Sequence, residues 1–220
     1  MLMQIRHRTA YAYEPAIERC ALRLKLFPPR FASQRVKSWT VRVNGTAVAP
    51  LLTSPYGEQQ ALWCRQEAAD AIEVLAEGVI EADNAAGVVK GLRESARPGV
   101  FLRSTPLTEA DDAIASLAAA AAPGAEPTGL ERMHRLLALV GEAVRYTPGA
   151  TDAATTAAQA MRRGAGVCQD HAHVFIAAAR RLGRPARYVV GYLLGETREE
   201  AATHAWAEAH LPGLGWVGFD

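Results

Sequence analysis

Alternation dominates the first third of the chain. From Met3 to Tyr13, the residues Ile5, His7, Thr9, Tyr11 and Tyr13 recur at every second position, the period of a strand with one face turned inward. Cys20–Leu26 alternates apolar and basic side chains and stops at Pro28-Pro29, since proline cannot donate to a ladder. Val36–Val43 alternates again and runs into Asn44-Gly45, a hairpin-turn dipeptide. Ala61–Arg65 and Ile72–Glu81 are two further strand candidates, although Glu67–Ala76 also fits a short helix. Strands joined by short turns predict an antiparallel β-sandwich. Asn84–Arg103 is polar, contains glycine and matches neither period; part of it is expected to cross between domains.

From Thr105 the period changes to that of helices. A first helix is expected from Thr108 as N-cap, with acids in its first turn, to about Ala122 before Pro123-Gly124. Thr128 is expected to cap a second, Gly129–Val144, whose Leu130, Met133, Leu136, Leu137, Val140 and Val144 form one stripe. Thr156–Arg163 reads as a third helix and Cys168–Leu182 as a fourth, stopped by Gly183, with Ala172, Phe175, Ile176, Ala179 and Leu182 as its buried stripe. Then the period returns to two. Ala186–Leu194, His204–Leu211 and Trp216–Asp220 are strands, separated by a polar excursion at Gly195–Thr203 and a turn at Pro212–Gly215. The expected architecture is α+β: a β-sandwich over 1–104, then an α+β domain over 105–220.

Composition changes this picture little. Of 220 residues, half are hydrophobic, enough for a sizeable core. A net charge of +1 gives no electrostatic case for nucleic acid or an anionic membrane surface. The apolar runs are too short or interrupted to span a bilayer, and the N-terminus lacks the apolar stretch of a secretion signal. Cys20, Cys64 and Cys168 form no disulfide framework, so reduced thiols and a cytoplasmic location are expected. The chain stops at Asp220, inside a strand, and the expectation is a C-terminally truncated domain whose parent continues.

The chemistry gathers around Gly164-Ala165-Gly166-Val167-Cys168-Gln169-Asp170-His171-Ala172. Glycines before a cysteine and a helical period after it put Cys168 at a helix N-terminus. Outward-pointing amides and the positive dipole end there favour a thiolate, the form that attacks a carbonyl carbon. Such a nucleophile needs a base. In His204-Ala205-Trp206-Ala207-Glu208-Ala209-His210, the even-numbered residues share one face, as do Trp216, Gly218 and Asp220 in the next strand. In a hairpin, strand parity sets His204 and Asp220 on one side, directly paired or diagonal according to the loop. A carboxylate there would fix the imidazole's tautomer. Thiol, imidazole and carboxylate are the parts of cysteine-based acyl transfer.

Three blocks, Gly166-Val167-Cys168-Gln169-Asp170, Thr203-His204-Ala205-Trp206-Ala207-Glu208 and Gly215-Trp216-Val217-Gly218-Phe219-Asp220, resemble in order those of the transglutaminase-like superfamily. Ile5–Tyr11 and Leu26-Phe27-Pro28-Pro29-Arg30 resemble the β domain that precedes this core in bacterial members. The resemblance implies a papain-like, transglutaminase-like α+β core with Cys168 as nucleophile, His204 as base and acid, and Asp220 as orienting carboxylate.

Other residues read more plainly. Cys168, His171 and His173 do not converge on a metal, because 173 lies about 200° around the helix from 171. His171 is expected to be solvated and His173 to be a core residue. Asp170 suits the helix dipole. Gln169, Trp206 and Tyr146 are the substrate-binding candidates, and Thr151 borders the cleft beside Tyr146. Trp206 and Trp216 divide evenly between core packing and cleft lining, while Glu208 is expected to be solvated or salt-bridged. His7 and Cys20 are packing residues.

The expected function is cysteine-dependent acyl transfer on an amide, by transamidation or deamidation. The substrate would be a protein or peptide amide donor, with an amine as acceptor where transfer occurs. No metal is expected, and no calcium, for which a loop rich in Asp and Asn at binding spacing is missing. A cysteine peptidase or amidase is the alternative within the enzyme class. A non-catalytic module that binds a peptide or protein is the alternative outside it.

Overall fold

The alternating segments of the first third form two antiparallel sheets. The computed structural model describes residues 1–122, 129–194 and 202–220, which divide into two units, Met1–Ala96 and Arg97–Asp220.

In the first unit the strands are β1 (Leu2–Ile17), β2 (Cys20–Phe27), β3 (Gln34–Val43), β4 (Thr46–Val48), β5 (Leu52–Thr53), β6 (Gln59–Arg65) and β7 (Ala69–Ala82), followed by a two-residue β8 (Val88–Val89). One sheet has the order β1-β7-β3-β4 and the other β2-β6-β5. Leu24 and Ala61 from the second sheet meet Val41, Val43, Ile72, Val74 and Ala76 from the first in one cluster, the inner faces of a sandwich. Asn44 and Gly45 adopt positive φ (48° and 78°), and Val43 pairs with Thr46, so the expected two-residue turn is present. The helical option for Glu67–Ala76 does not hold from Ala69 onward. β7 pairs with β1 on one side and β3 on the other, and those ladders override a local preference. On this sheet Arg35 and Lys37 bind the Glu81 carboxylate and hold its pKa down at about 2.

The second unit is built around one helix. Two short 3₁₀ turns, Pro98–Leu102 and Pro106–Thr108, lead into α1 (Asp112–Ala120), α2 (Gly129–Ala143), β9 (Arg145–Tyr146), α3 (Ala157–Arg163), β10 (Ala165–Gly166), α4 (Cys168–Arg181), β11 (Ala186–Leu193), β12 (Ala202–Leu211) and β13 (Gly215–Phe219). Strands β11, β12 and β13 are antiparallel neighbours in that order. Helix α4 packs against α1, α2, α3, β11 and β12. Its Val174, Phe175, Ile176, Ala177, Ala178 and Ala179 are all buried, a wider apolar band than one stripe because neighbours surround it.

Two expectations need correction. Residues 97–104 belong with the second unit, not the first. Phe101 meets Trp216 edge-on, with ring centroids 5.0 Å apart, and that contact ties the segment to the sheet. The cap of α1 is Asp111, whose carboxylate accepts from Ile114 N–H at 3.1 Å. Thr108 is buried instead, its hydroxyl accepting from the Arg180 guanidinium at 2.7 Å. The expected Thr128 cap and most of the polar excursion at Gly195–Thr203 fall outside the described residues; β12 begins at Ala202.

Candidate active site

The nucleophile position is assembled by a turn. Gly164 closes α3 with φ 61°, a left-handed conformation that glycine adopts without steric cost. The chain then crosses Ala165–Gly166, parallel to Arg145–Tyr146, with Arg145 N–H donating to Gly164 O (3.0 Å) and Thr147 N–H to Gly166 O (2.7 Å). Val167 is the N-cap of α4 and has no side-chain oxygen to offer. Asp170 compensates. It is fully buried, and its Oδ2 accepts from Val167 N–H at 2.7 Å and from the Thr151 hydroxyl at 2.6 Å, a capping-box reach-back to the N-cap amide. A Cβ on Gly166 would lie 2.6 Å from Asp170 Cβ, so glycine is needed where turn and helix meet. Beyond the dipole interaction expected of it, Asp170 locks this turn. The signal was present in the sequence as an acid three residues after the cap, preceded by glycine.

Cys168, half-buried, begins α4. The Val167 carbonyl accepts from the amides of Asp170 and His171. The amides of Cys168 and Gln169 find no acceptor among the described residues, as expected of the first helical turn. Two adjacent N–H groups beside a thiol can hold a developing oxyanion.

His204 and Asp220 meet as strand parity required. Ala207 pairs with Phe219. One further step along the ladder sets Asp220 level with Trp206, so Asp220 lies diagonal to His204. His204 Nε2 is 2.8 and 2.7 Å from the two carboxylate oxygens. With Nε2 occupied there, Nδ1 is the nitrogen left for other chemistry. The imidazole is mostly shielded while the Asp220 side chain is 58% exposed.

Cys168, His204 and Asp220 line one cleft of about 280 Å³. It lies where β12 begins and β13 ends, and both faces of the sheet contribute to it. Trp206 also lines it and stacks on His204, with centroids 6.2 Å apart and planes at 29°. Its ring lies over Gly191, where a Cβ would come within 2.6 Å of it. Tyr146 lines the cleft with its ring mostly exposed. Gln169 is not brought to it, since its amide donates to Asp152 O at 3.1 Å. Thr151 is likewise engaged, by Asp170.

His171 lines the cleft but is not solvated as expected. Nδ1 lies 2.9 Å from Val167 O and Nε2 2.6 Å from Val144 O, so the ring bridges α4 to the end of α2. His173 is buried, as expected of a core residue. Burial holds its pKa below the usual value, and its ring lies 5.1 Å from that of Tyr188. Sequence reasoning passed over Tyr188. Burial pushes its phenol up, and the neighbouring Cys168 and Asp170 add to the shift; only strand alternation in β11 could have singled it out. Trp216 belongs to the core, 4% exposed, with the Arg187 guanidinium stacked 4.1 Å above it. Glu208 is buried and paired with Arg187 at 2.7 Å, so the salt-bridged expectation stands and the solvated one does not.

Residues 115–220 match the family model of the transglutaminase-like superfamily, and residues 3–81 match that of the bacterial transglutaminase-like N-terminal region. The chain belongs to the transglutaminase-like superfamily. This transglutaminase-like chain is similar over its whole length to the crystal structure of a candidate cysteine protease from Cytophaga hutchinsonii, at 20% identity and a TM-score of 0.76, covering 78% of that chain. At such identity the likeness is one of fold. The periplasmic domain of TgpA from Pseudomonas aeruginosa, bound to ethylmercury, is more distant, at 18% identity and a TM-score of 0.46, with 96% of this chain and 74% of that one covered. A segment of 82 residues is 38% identical to the uncharacterized protein ML0607 of Mycobacterium leprae (strain TN), spanning 34% of this chain and 28% of that protein. Among the described residues, no helix is long and apolar enough to cross a membrane, and no group of three or more His, Cys, Asp or Glu side chains could hold a metal.

Proposed function

We propose that this transglutaminase-like core carries out cysteine-dependent acyl transfer on an amide, with Cys168, His204 and Asp220 as its working groups. The observation that carries the reading is the His204 imidazole, held through Nε2 by both Asp220 oxygens and opening on a cleft that Cys168 also lines. Nδ1 takes the thiol proton and Sγ attacks the amide carbonyl. The amides of Cys168 and Gln169 hold the oxyanion. Collapse of the tetrahedral species breaks the C–N bond, with the Nδ1 proton passing to the departing amine and a thioester remaining on Cys168. Water or a second amine, deprotonated by His204, then attacks the thioester, and the proton returns to sulfur as the acyl group leaves. Asp220 keeps the imidazole in the tautomer that permits both transfers.

The acceptor follows from access. The exposed Asp220 carboxylate and Tyr146 ring border an open cleft, which favours water as acceptor over a dry route to transamidation. A protein or peptide amide is the proposed substrate and the cytoplasm the proposed location.

Two measurements test this. Iodoacetamide at about pH 6.5 is expected to alkylate Cys168 ahead of Cys20 and Cys64, with the preference lost in His204→Ala. Supplied with primary-amide peptides and hydroxylamine, the protein is expected to release ammonia with the acid or the hydroxamate as product. Cys168→Ala abolishes release, and His204→Ala lowers it about 10²–10⁴-fold. Equal, slow labelling of all three cysteines, or turnover that survives Cys168→Ala, overturns the reading.

A further inference from the structure

Helix α2 contributes Leu137, Val140 and Gly141 to the cleft. Gly141 stands inside the helix, where glycine is less favourable than alanine. Nothing in the fold asks for it. Its φ is not positive, and a Cβ built there meets no atom within 4 Å. Gly166 and Gly191 differ, because the Asp170 side chain presses against the first and the Trp206 ring against the second. Gly141 is itself exposed and lines the cleft. Below it the wall is apolar, with Val140, Ala172, Phe175 and Phe219 all buried. Among the described residues the lining includes no Lys, Arg or Glu, and its one carboxylate, Asp220, is already engaged by His204, so a charged group entering there would lose water and gain no free partner.

We propose that Gly141 is a specificity-determining position: its missing side chain admits a bulky, uncharged, apolar substituent on the acyl side of the scissile amide. The inference rests on reading Cys168 as the nucleophile, and names the class of acyl group that this nucleophile receives. Filling position 141 shortens the cleft from its mouth and excludes large substituents before small ones.

The test compares two reagents of the same chemistry, iodoacetamide and N-benzyl-iodoacetamide, on the full chain carrying Gly141, Gly141→Ala or Gly141→Leu. The ratio of benzyl to parent alkylation rates at Cys168 is expected to fall about tenfold in Gly141→Leu, the scale of a hydrophobic pocket losing its room. Gly141→Ala is expected to raise the melting temperature, which shows that the glycine serves no structural need. A ratio that is the same in all three proteins overturns the proposal. A second arm separates this failure from failure of the nucleophile reading. In Cys168→Ala, binding of 3-phenylpropionamide, whose ring lies on the acyl side of its amide, is followed by ligand-observed NMR. Binding that is lost on adding Gly141→Leu supports the pocket even if Cys168 proves unreactive; binding that persists, or never occurs, overturns it.

Discussion

Gly166→Ala is the sharpest probe of how the nucleophile is held. The new Cβ would stand 2.6 Å from Asp170 Cβ, 2.8 Å from Cγ and 2.7 Å from Oδ2, so rotating the carboxylate alone does not relieve it. The molecule has two ways out. If Asp170 swings away, it gives up the bonds from Val167 N–H and Thr151 Oγ1, each worth about 1.5–3 kcal/mol with a charged acceptor. If the backbone shifts and the bonds survive, the cost is that of overpacking, about 1–3 kcal/mol. The second is cheaper. Alanine also restricts the unfolded chain and returns about 0.4–1 kcal/mol. The expected net loss is about 1–2 kcal/mol, a substantial part of a domain's stability. Urea unfolding followed by the fluorescence of Trp206 and Trp216 measures it, as a lower midpoint at unchanged slope. Gly99→Ala is the control, since a Cβ there meets nothing within 4 Å. The alkylation rate of Cys168 should change with Gly166→Ala and not with the control. A midpoint shift equal to that of Gly99→Ala would refute the claim that Gly166 and Asp170 lock the turn.

Two further outcomes are expected. His173 is held neutral by burial, so the unfolded chain takes up its proton first as pH falls. Stability attributable to His173 is therefore complete above its ordinary value of 6.5 and is lost as pH drops below it; urea midpoints at about pH 7.5 and 5.5 should differ less in His173→Leu than in the parent. Arg187 and Glu208 form a shielded pair beneath Trp216. Arg187→Met alone should cost about 3–5 kcal/mol by stranding the carboxylate, and adding Glu208→Met should recover most of it; equal losses in single and double variants would count against a buried, mutually dependent pair.

Much of this site could be read from residue order because it depends on periodicity. The period of two alone puts His204, Trp206 and Asp220 on one face, and the glycines ahead of Cys168 mark the helix start. What escaped depends on tertiary contact. Thr108 suits an N-cap by type, yet Arg180, 72 positions away, takes its hydroxyl. Phe101 sits in a segment with no period at all, and only the Trp216 ring explains why it belongs to the second unit. Solvation was expected for His171 because a sequence cannot show that the carbonyls of Val144 and Val167 converge on one ring. Gln169 adjoins the nucleophile in sequence, but a helix turns neighbours about 100° apart, and Asp152 captures its side chain.

The diagonal placement of Asp220 makes the site sensitive to counting rather than chemistry. The link from β12 to β13 is three residues, Pro212, Gly213 and Leu214, between the paired Leu211 and Gly215. One residue inserted there would carry the carboxylate through the sheet to its opposite side. Two would return it to its own side, directly opposite His204 instead of diagonal to it. Homologous turns that keep glycine at the two left-handed positions, Gly213 and Gly215 (φ 80° each), can therefore vary elsewhere in composition but not by an odd number of residues, and a one-residue indel in this hairpin is a strong sign of a silenced site.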